Sequence, residues 1–511
     1  MHSSRRTFVK SVAASASLVA FSRFTVAQSA EDALRFKLAT DPLRPSLHLL
    51  PAMNWMNDPN GPIYWNGLYH MFFQYNPNAA VWGDMHWNHA VSDDMIHWRH
   101  LPIALAPTPG WDDADGCFTG SAVNDKGIAT LLYTGVKATS ADRATLRDGN
   151  HNFREVQCLA TSSDPQLRKW NKWKEPVIQP PSDPKLTGFR DPFLWQDGST
   201  WYLGVASGQF QQGGQVLLYR SKDLRSWEYL HPLASGHWTE KENINPVNSG
   251  EMWECPDFFP LGSKHVLLYS TAGRVLWEVG ELDLKELIFH PQKRGVLDHG
   301  AFYAQKTQQD AKGNRILWGW IPEKRPDSEL IAAGWAGCMA LPRVLSLASD
   351  NSLQMSFAPQ VESLRYRTLQ RFRSSGNSPD ENNQIAQFEF RQIRGELLWK
   401  VTEWPFRLTL EDRAGTWLAV NCGEEGSTLK LVVGNLSASL PNEKNSPKNF
   451  HLILDASVAE LIFNNQHVFT ARIYRTPDGP LRISVANSDL SELESYKFWT
   501  LHPISGDRLT T

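Results

Sequence analysis

The chain has 511 residues, enough for two or three domains with full cores, and its 41% hydrophobic and 21% charged residues describe a globular protein rather than a disordered one. Its 51 Lys and Arg nearly balance 54 Asp and Glu, and a net charge of -3 gives no electrostatic basis for a nucleic-acid partner. The five cysteines (Cys117, Cys158, Cys255, Cys338, Cys422) are scattered and form no C-x-x-C pair, which argues against a zinc ribbon, a redox motif or a disulfide framework.

Residues 1–30 read as an export signal. Arg5-Arg6 precede a mild apolar stretch, Ser11 to Phe21, and Thr25-Val26-Ala27 offers small residues suited to a signal peptidase. The apolar stretch, about eleven residues, is too short to cross a bilayer of about 30 Å as a helix. Paired arginines point to the twin-arginine route, which carries folded proteins, with the periplasm or the medium as destination. No other segment is apolar for long enough to cross a membrane, so no stable membrane insertion is expected.

Residues 45–345 read as short strands punctuated by Gly, Asn, Asp and Pro. One pattern recurs: a motif, a short strand, a turn, then a strongly apolar strand. It runs as Asp58-Pro59, Asn66-Gly67, Tyr69–Tyr75, then as Phe118-Thr119-Gly120-Ser121, Lys126-Gly127, Ala129–Thr134. The next copies are Asp191-Pro192, Asp197-Gly198, Thr200–Ala206 and Pro256-Asp257, Gly262-Ser263, His265–Ser270. A looser fifth passes from Phe302-Tyr303 through Lys312-Gly313 to Arg315–Trp320. Spacings of about 45–75 residues suit the blades of a five-bladed β-propeller, and a β-sandwich of hairpins is the alternative on repeats alone. In a propeller the first strand of every blade lines one channel, so Asp58, Asp191 and Glu254 would meet. Residues 365–385 are polar, and eight or so alternating strands without the motif follow, which makes 360–505 a candidate β-sandwich domain. The fold class is therefore all-β.

Three acids stand in unusual company. Asp58 lies in Asn54-Trp55-Met56-Asn57-Asp58-Pro59-Asn60-Gly61, where donors and a rigid turn would hold an ionised carboxylate in one orientation, as a nucleophile requires. Taken alone, the string reads equally as a turn. Asp191 follows Arg190, whose guanidinium favours a charged carboxylate. Glu254, in Trp253-Glu254-Cys255-Pro256-Asp257, sits in an apolar setting that favours holding a proton; alone, it reads also as a buried structural Glu. Paired carboxylates flanking a sugar C–O bond define most glycosidases. The chain is rich in Trp (21 against 12 Tyr), and Trp55, Trp82, Phe118, Trp253 and Trp320 could wall a sugar site or fill a core. Gln74, polar within an apolar strand, could read a hydroxyl. The His-rich stretch His86–Trp98 carries no helical metal motif, and no metal site is expected there.

Together these strings resemble the β-fructofuranosidase family, glycoside hydrolase family 32, which includes invertases, inulinases and levanases. Trp55–Gly61 is similar to its nucleophile motif, Arg190-Asp191-Pro192 to its transition-state motif and Glu254-Cys255 to its acid/base motif. Trp82-Gly83-Asp84, Phe118–Ser121, Phe302-Tyr303-Ala304-Gln305, Gly334-Trp335 through Arg343, and Asp455–Asn464 fit further family blocks, and the resemblance covers about 45–490. It implies a five-bladed propeller followed by a β-sandwich. It implies retaining hydrolysis of terminal β-D-fructofuranosyl bonds, with Asp58 as nucleophile, Glu254 as acid/base and Asp191, helped by Arg190, as transition-state stabiliser. Asn57, Gln74, Trp82, Phe118 and Ser121 would line the fructose subsite, with Trp320 in the aromatic wall. The partner would be sucrose or an oligosaccharide, and neither metal nor organic cofactor is implied. Fructosyl transfer by the same site, a related arabinoside or xyloside hydrolase, and a non-catalytic fructan-binding protein are the alternatives.

Overall fold

The computed structural model describes residues 32–147, 149–237, 245–368, 385–390, 393–401, 405–442, 448–487 and 495–506. The export signal expected over 1–30 lies outside the described residues. The all-β expectation holds, with short helices at 32–40, Pro246–Ser249 and Asp327–Ala333.

From Asn54 to Phe357 the chain builds five successive sheets. Their first strands are Asn54–Trp65, Gly116–Asp125, Leu186–Asp197, Glu254–Leu261 and Tyr303–Gln309. Each turns back into an apolar strand: Leu68–Asn76, Ile128–Ala138, Thr200–Gln209, Lys264–Thr271 and Arg315–Ile321. Asn66-Gly67 and Lys126-Gly127 both adopt positive φ, the conformation that matches a two-residue turn to the twist of its hairpin. The first strands touch in a closed ring: each packs on the next, and Tyr303–Gln309 returns to Asn54–Trp65. Trp335–Ala336 then adds in parallel to Asn54–Trp55, joining late chain to the first sheet. The last sheet keeps two strands beyond those of the sequence pattern, Arg343–Leu347 and Leu353–Phe357, so it ends at Phe357 rather than at 345. The turn between them, Ala348–Ser352, is small and polar and resembles a linker.

The remaining chain forms two six-stranded sheets. One holds Arg365–Thr368, Ser495–Leu501, Arg394–Val401, Lys448–Asp455, Val458–Phe463 and His467–Arg472. The other holds Ile385–Phe390, Leu481–Asn487, Phe406–Asp412, Gly415–Glu425, Thr428–Val433 and Leu436–Pro441. Strand periodicity explains how they pack. Leu452, Leu454, Leu461 and Phe463 point into the core between the two sheets. Ile453 and Ile462 point the other way, into a core shared with Met56, Phe302, Trp318 and Trp335 of the first region. The middle of this sheet is thus apolar on both faces, and a one-residue slip in register would misplace both sets.

A buried ionic cluster pins the same interface. His48 Nδ1 lies 2.7 Å from Asp455 and Nε2 lies 2.9 Å from Glu460. Asp455 also accepts from the backbone N–H of Ser46 and Leu47. Arg343 joins Asp298 at 3.0 Å and Glu460 at 2.5 Å. Burial opposes the charged imidazole of His48, but the two carboxylates outweigh it and raise its pKa to about 9. Glu460 falls to about 2, because Arg343 and His48 outweigh its desolvation. His48's contribution is complete below its ordinary value of 6.5 and disappears as pH rises through about 9. Glu460's contribution is complete above 4.5 and disappears as pH falls towards about 2. Asp455→Ala, which leaves His48 with one partner, is expected to cost about 3–5 kcal/mol in denaturant melts near pH 6. His48→Gln is expected to flatten the loss of stability between neutral pH and pH 9, which thermal melts across that range would measure.

Candidate active site

The first strands are interrupted at corresponding points. Register shifts fall between Met56 and Pro59, Phe118 and Gly120, Arg190 and Phe193, Glu254 and Asp257, and Tyr303 and Lys306. Asp191, Cys255 and Ala304 sit at these irregularities with φ of 60°, 49° and 53°. Positive φ costs a side chain about 1–3 kcal/mol and persists where surrounding structure enforces it. Bulges of this kind re-aim side chains at the end of a strand. Here they bring Asp58, Asp191 and Glu254 together at one mouth of the ring.

Cys255 joins them. Its backbone N–H donates to Asp191 Oδ2 at 2.8 Å, and its Sγ lies 3.5 Å from that oxygen and 3.4 Å from Asp58 Oδ2. Asp58 is held from both sides: Asn57 Nδ2 donates to Oδ1 at 3.1 Å and Thr119 Oγ1 donates to Oδ2 at 2.5 Å. Gln74 closes the circuit, accepting from Asn57 at 3.0 Å and donating to Thr119 at 2.6 Å. Trp55 Nε1 fixes the Asn57 amide by donating to its Oδ1 at 2.8 Å. Glu254 accepts from Arg190 Nη2 at 2.7 Å on one oxygen and from the Tyr303 hydroxyl at 2.8 Å on the other.

Burial raises the pKa of Asp58 against the hydrogen bond from Thr119, and the nearby Glu254 adds to the rise. One sequence expectation about charge needs correction. Asp191 was expected to be held charged by Arg190. Burial pushes it up to about 7, only partly opposed by Arg190, while Glu254 and Asp58 raise it further. The reason is geometric: the Arg190 guanidinium makes its ion pairs with Glu254 and with the buried Glu155, at 2.7 Å and 2.8 Å.

The other expected site residues divide. Asn57 and Gln74 belong to the Asp58 network, Gln74 acting on neighbouring side chains. Trp55 and Trp320 meet edge to face at 5.8 Å, and Phe118 joins their apolar cluster. Trp82 is 41% exposed and packs on Phe118 at 5.9 Å, extending this aromatic cluster to the surface. Trp253 is core instead, stacked on Tyr269 at 3.8 Å. Ser121 lies further along the channel: its hydroxyl donates to the Pro192 carbonyl, and it lines a cavity of about 440 Å³ with Gly61, Asp257 and Lys306. In the Phe118–Ser121 string it is Thr119, not Ser121, that reaches the acids.

Sequence reasoning left Thr119, Cys255 and Tyr303 without roles although they stand inside quoted motifs. Glu155 carried no signal, because nothing in Arg154-Glu155-Val156 marks a buried acid. The His-rich stretch is absorbed locally, with His97 on Asp94 at 2.7 Å and His89 on His70 at 2.9 Å. No cluster of metal-ligating side chains occurs among the described residues.

Comparison with known proteins places this architecture. Residues 48–359 match the model of the glycosyl hydrolases family 32 N-terminal domain. A sucrose-6-phosphate hydrolase of Escherichia coli is 34% identical over 89% of this chain and 94% of its own, and a raffinose invertase of Escherichia coli is 38% identical over 67% of this chain and 70% of its own. Among solved structures, a β-fructofuranosidase of Bombyx mori aligns with a TM-score of 0.73 at 29% identity, covering 94% of this chain and 99% of its own. Fructan 1-exohydrolase IIa of Cichorium intybus aligns with a TM-score of 0.74 at 25% identity, over 91% of this chain and 98% of its own. The chain belongs to the β-fructofuranosidase family, glycoside hydrolase family 32.

Proposed function

We propose that the chain hydrolyses terminal β-D-fructofuranosyl bonds of sucrose or fructans with retention of configuration. The observation that carries this reading is the junction at Cys255, which holds two carboxylates on one thiol and one N–H while the third carboxylate belongs to the preceding residue. Asp58, gripped on both oxygens, attacks the anomeric carbon. Glu254 gives its proton to the departing oxygen and then takes one from the incoming water. Asp191 hydrogen-bonds ring hydroxyls as positive charge grows on the sugar, and the aromatic cluster of Trp55, Trp82, Phe118 and Trp320 offers apolar faces to its C–H groups. Relatives support the substrate class: a variant of the Bombyx mori enzyme was solved with sucrose, and a variant of the Cichorium intybus enzyme with 1-kestose.

In this reading the five ringed sheets are the blades of a propeller, the catalytic unit begins near residue 45, and the two six-stranded sheets over 360–505 form the accompanying sandwich. We also infer twin-arginine export. Five free, buried cysteines suit a fold completed before it leaves a reducing compartment.

Purified protein incubated with sucrose, sucrose-6-phosphate, inulin and levan should release free fructose from at least one, with glucose 6-phosphate as the other product of sucrose-6-phosphate. Release from none rejects the activity. Asp58→Asn and Glu254→Gln should each lower kcat by about a thousandfold or more with the fold retained; a variant near the normal rate removes that residue from its role. Asp191→Asn gives a second, thermodynamic signature. Asp191 binds its proton more tightly when folded (about 7) than at its ordinary value of 3.8, so native stability declines as pH rises between the two. The Asn variant, which cannot ionise, should gain melting temperature relative to the parent over that interval and hold the gain above it. Replacing Arg5-Arg6 with Lys-Lys should leave the protein inside the cell, as fractionation would show.

A further inference from the structure

Glu155 lies on the strand Asn152–Ser162, outside the ring of first strands, and is fully buried. Its Oε2 accepts from the Phe189 backbone N–H at 2.7 Å and its Oε1 from Arg190 Nη1 at 2.8 Å. Arg190 is itself 4% exposed, and its Nε and Nη2 both donate to Glu254 Oε1, at 3.1 Å and 2.7 Å. One guanidinium therefore bridges two carboxylates, one facing the cleft and one sealed behind it. A buried carboxylate is expensive, and satisfying the Phe189 N–H alone would need only a neutral acceptor. What uses the charge of Glu155 is Arg190.

We propose that Glu155 is a positioning residue for the reaction: it anchors one arm of Arg190 and takes up part of its charge, and so sets how strongly Arg190 holds Glu254 as an anion. This rests on the reading of Glu254 as the acid/base. The charged and titratable groups facing Glu254 are Arg190 and Asp191 from Leu186–Asp197, Asp58 from Asn54–Trp65, Tyr303 from Tyr303–Gln309, and Cys255 beside it. Lys306 lies deeper, its Nζ donating to the Pro256 carbonyl. Among the described residues Arg190 alone makes an ion pair with Glu254. The charge left to that pair is the quantity Glu155 controls. With Glu155 neutral, Arg190 would have only the cleft acids as counter-ions, and its full attraction would oppose proton return to Glu254.

The test is the pH–rate profile of Glu155→Gln with whichever substrate the wild type cleaves. The alkaline limb of kcat should move about one pH unit to the acid side, giving roughly a tenfold loss of kcat on that limb and little loss on the acid side. KM should stay within about threefold, because Glu155 does not reach the cleft. Glu155→Asp keeps the charge on a shorter arm, and its limb should move the same way by less. If Glu155→Gln does not fold, as judged by circular dichroism and melting, the Asp variant carries the test. A folded variant with the wild-type alkaline limb, whatever its kcat, overturns the proposal. Glu254→Gln, run alongside, separates the two claims: if it stays active the acid/base reading fails, and if it is inactive while the limb of Glu155→Gln is unmoved, only the role of Glu155 fails.

Discussion

The site depends on one junction. The peptide N–H and the thiol of Cys255 meet Asp191 and Asp58, which lie far apart along the chain, and Glu254 precedes that residue. The geometry is possible because Cys255 is left-handed and the strand is bulged there, so the backbone turns its N–H towards the axis. Regular β geometry would send consecutive side chains to opposite faces and separate Glu254 from the groups it must work with. Gln305 secures the same turn, donating to the Cys255 carbonyl at 2.8 Å and accepting from Ser270 at 2.8 Å.

Gathering acids at a buried mouth is unfavourable, and the rest of the molecule offsets it. Arg190, from the third sheet, supplies the compensating positive charge and is anchored by Glu155 of the second. The polar ring of Asn57, Gln74 and Thr119 supplies donors to Asp58. The second region acts at longer range. Arg472 and the Tyr474 hydroxyl engage Glu323, whose other contacts include the Gly337 N–H at 3.1 Å. Gly337 has φ of +77°, and a side chain there would place its Cβ 2.1 Å from the Met56 carbonyl, two residues before Asp58. Only a glycine lets that segment back so closely onto the strand bearing Asp58. The His48–Asp455 and Arg343–Glu460 cluster holds the same interface from its buried side.

Much of this was legible in the sequence because local chemistry marks it. Gly and Asn at the turns and apolar runs after them announced the hairpins, and Asp-Pro, Arg-Asp-Pro and Glu-Cys-Pro marked the three acids. Other parts carried no such mark. Arg365–Thr368 and Leu436–Pro441 are outermost strands of their sheets, with three of four and three of six residues exposed, and their sequence differs little from loop. The electrostatics were less legible still. Adjacency of Arg190 and Asp191 suggests a pair, but the guanidinium makes its ion pairs with Glu254 and Glu155 instead. Burial, which raises both Asp58 and Asp191, is a property of the assembled ring that no single motif contains.

In the proposed mechanism Asp58 and Glu254 work from opposite sides of one sugar carbon, with a covalent step between them. Time-resolved NMR of the first fructose released, faster than mutarotation, reads this directly. Double displacement predicts the β-furanose anomer first, followed by slow equilibration. Initial release of the α anomer would mean direct attack by water and would contradict the nucleophilic role of Asp58.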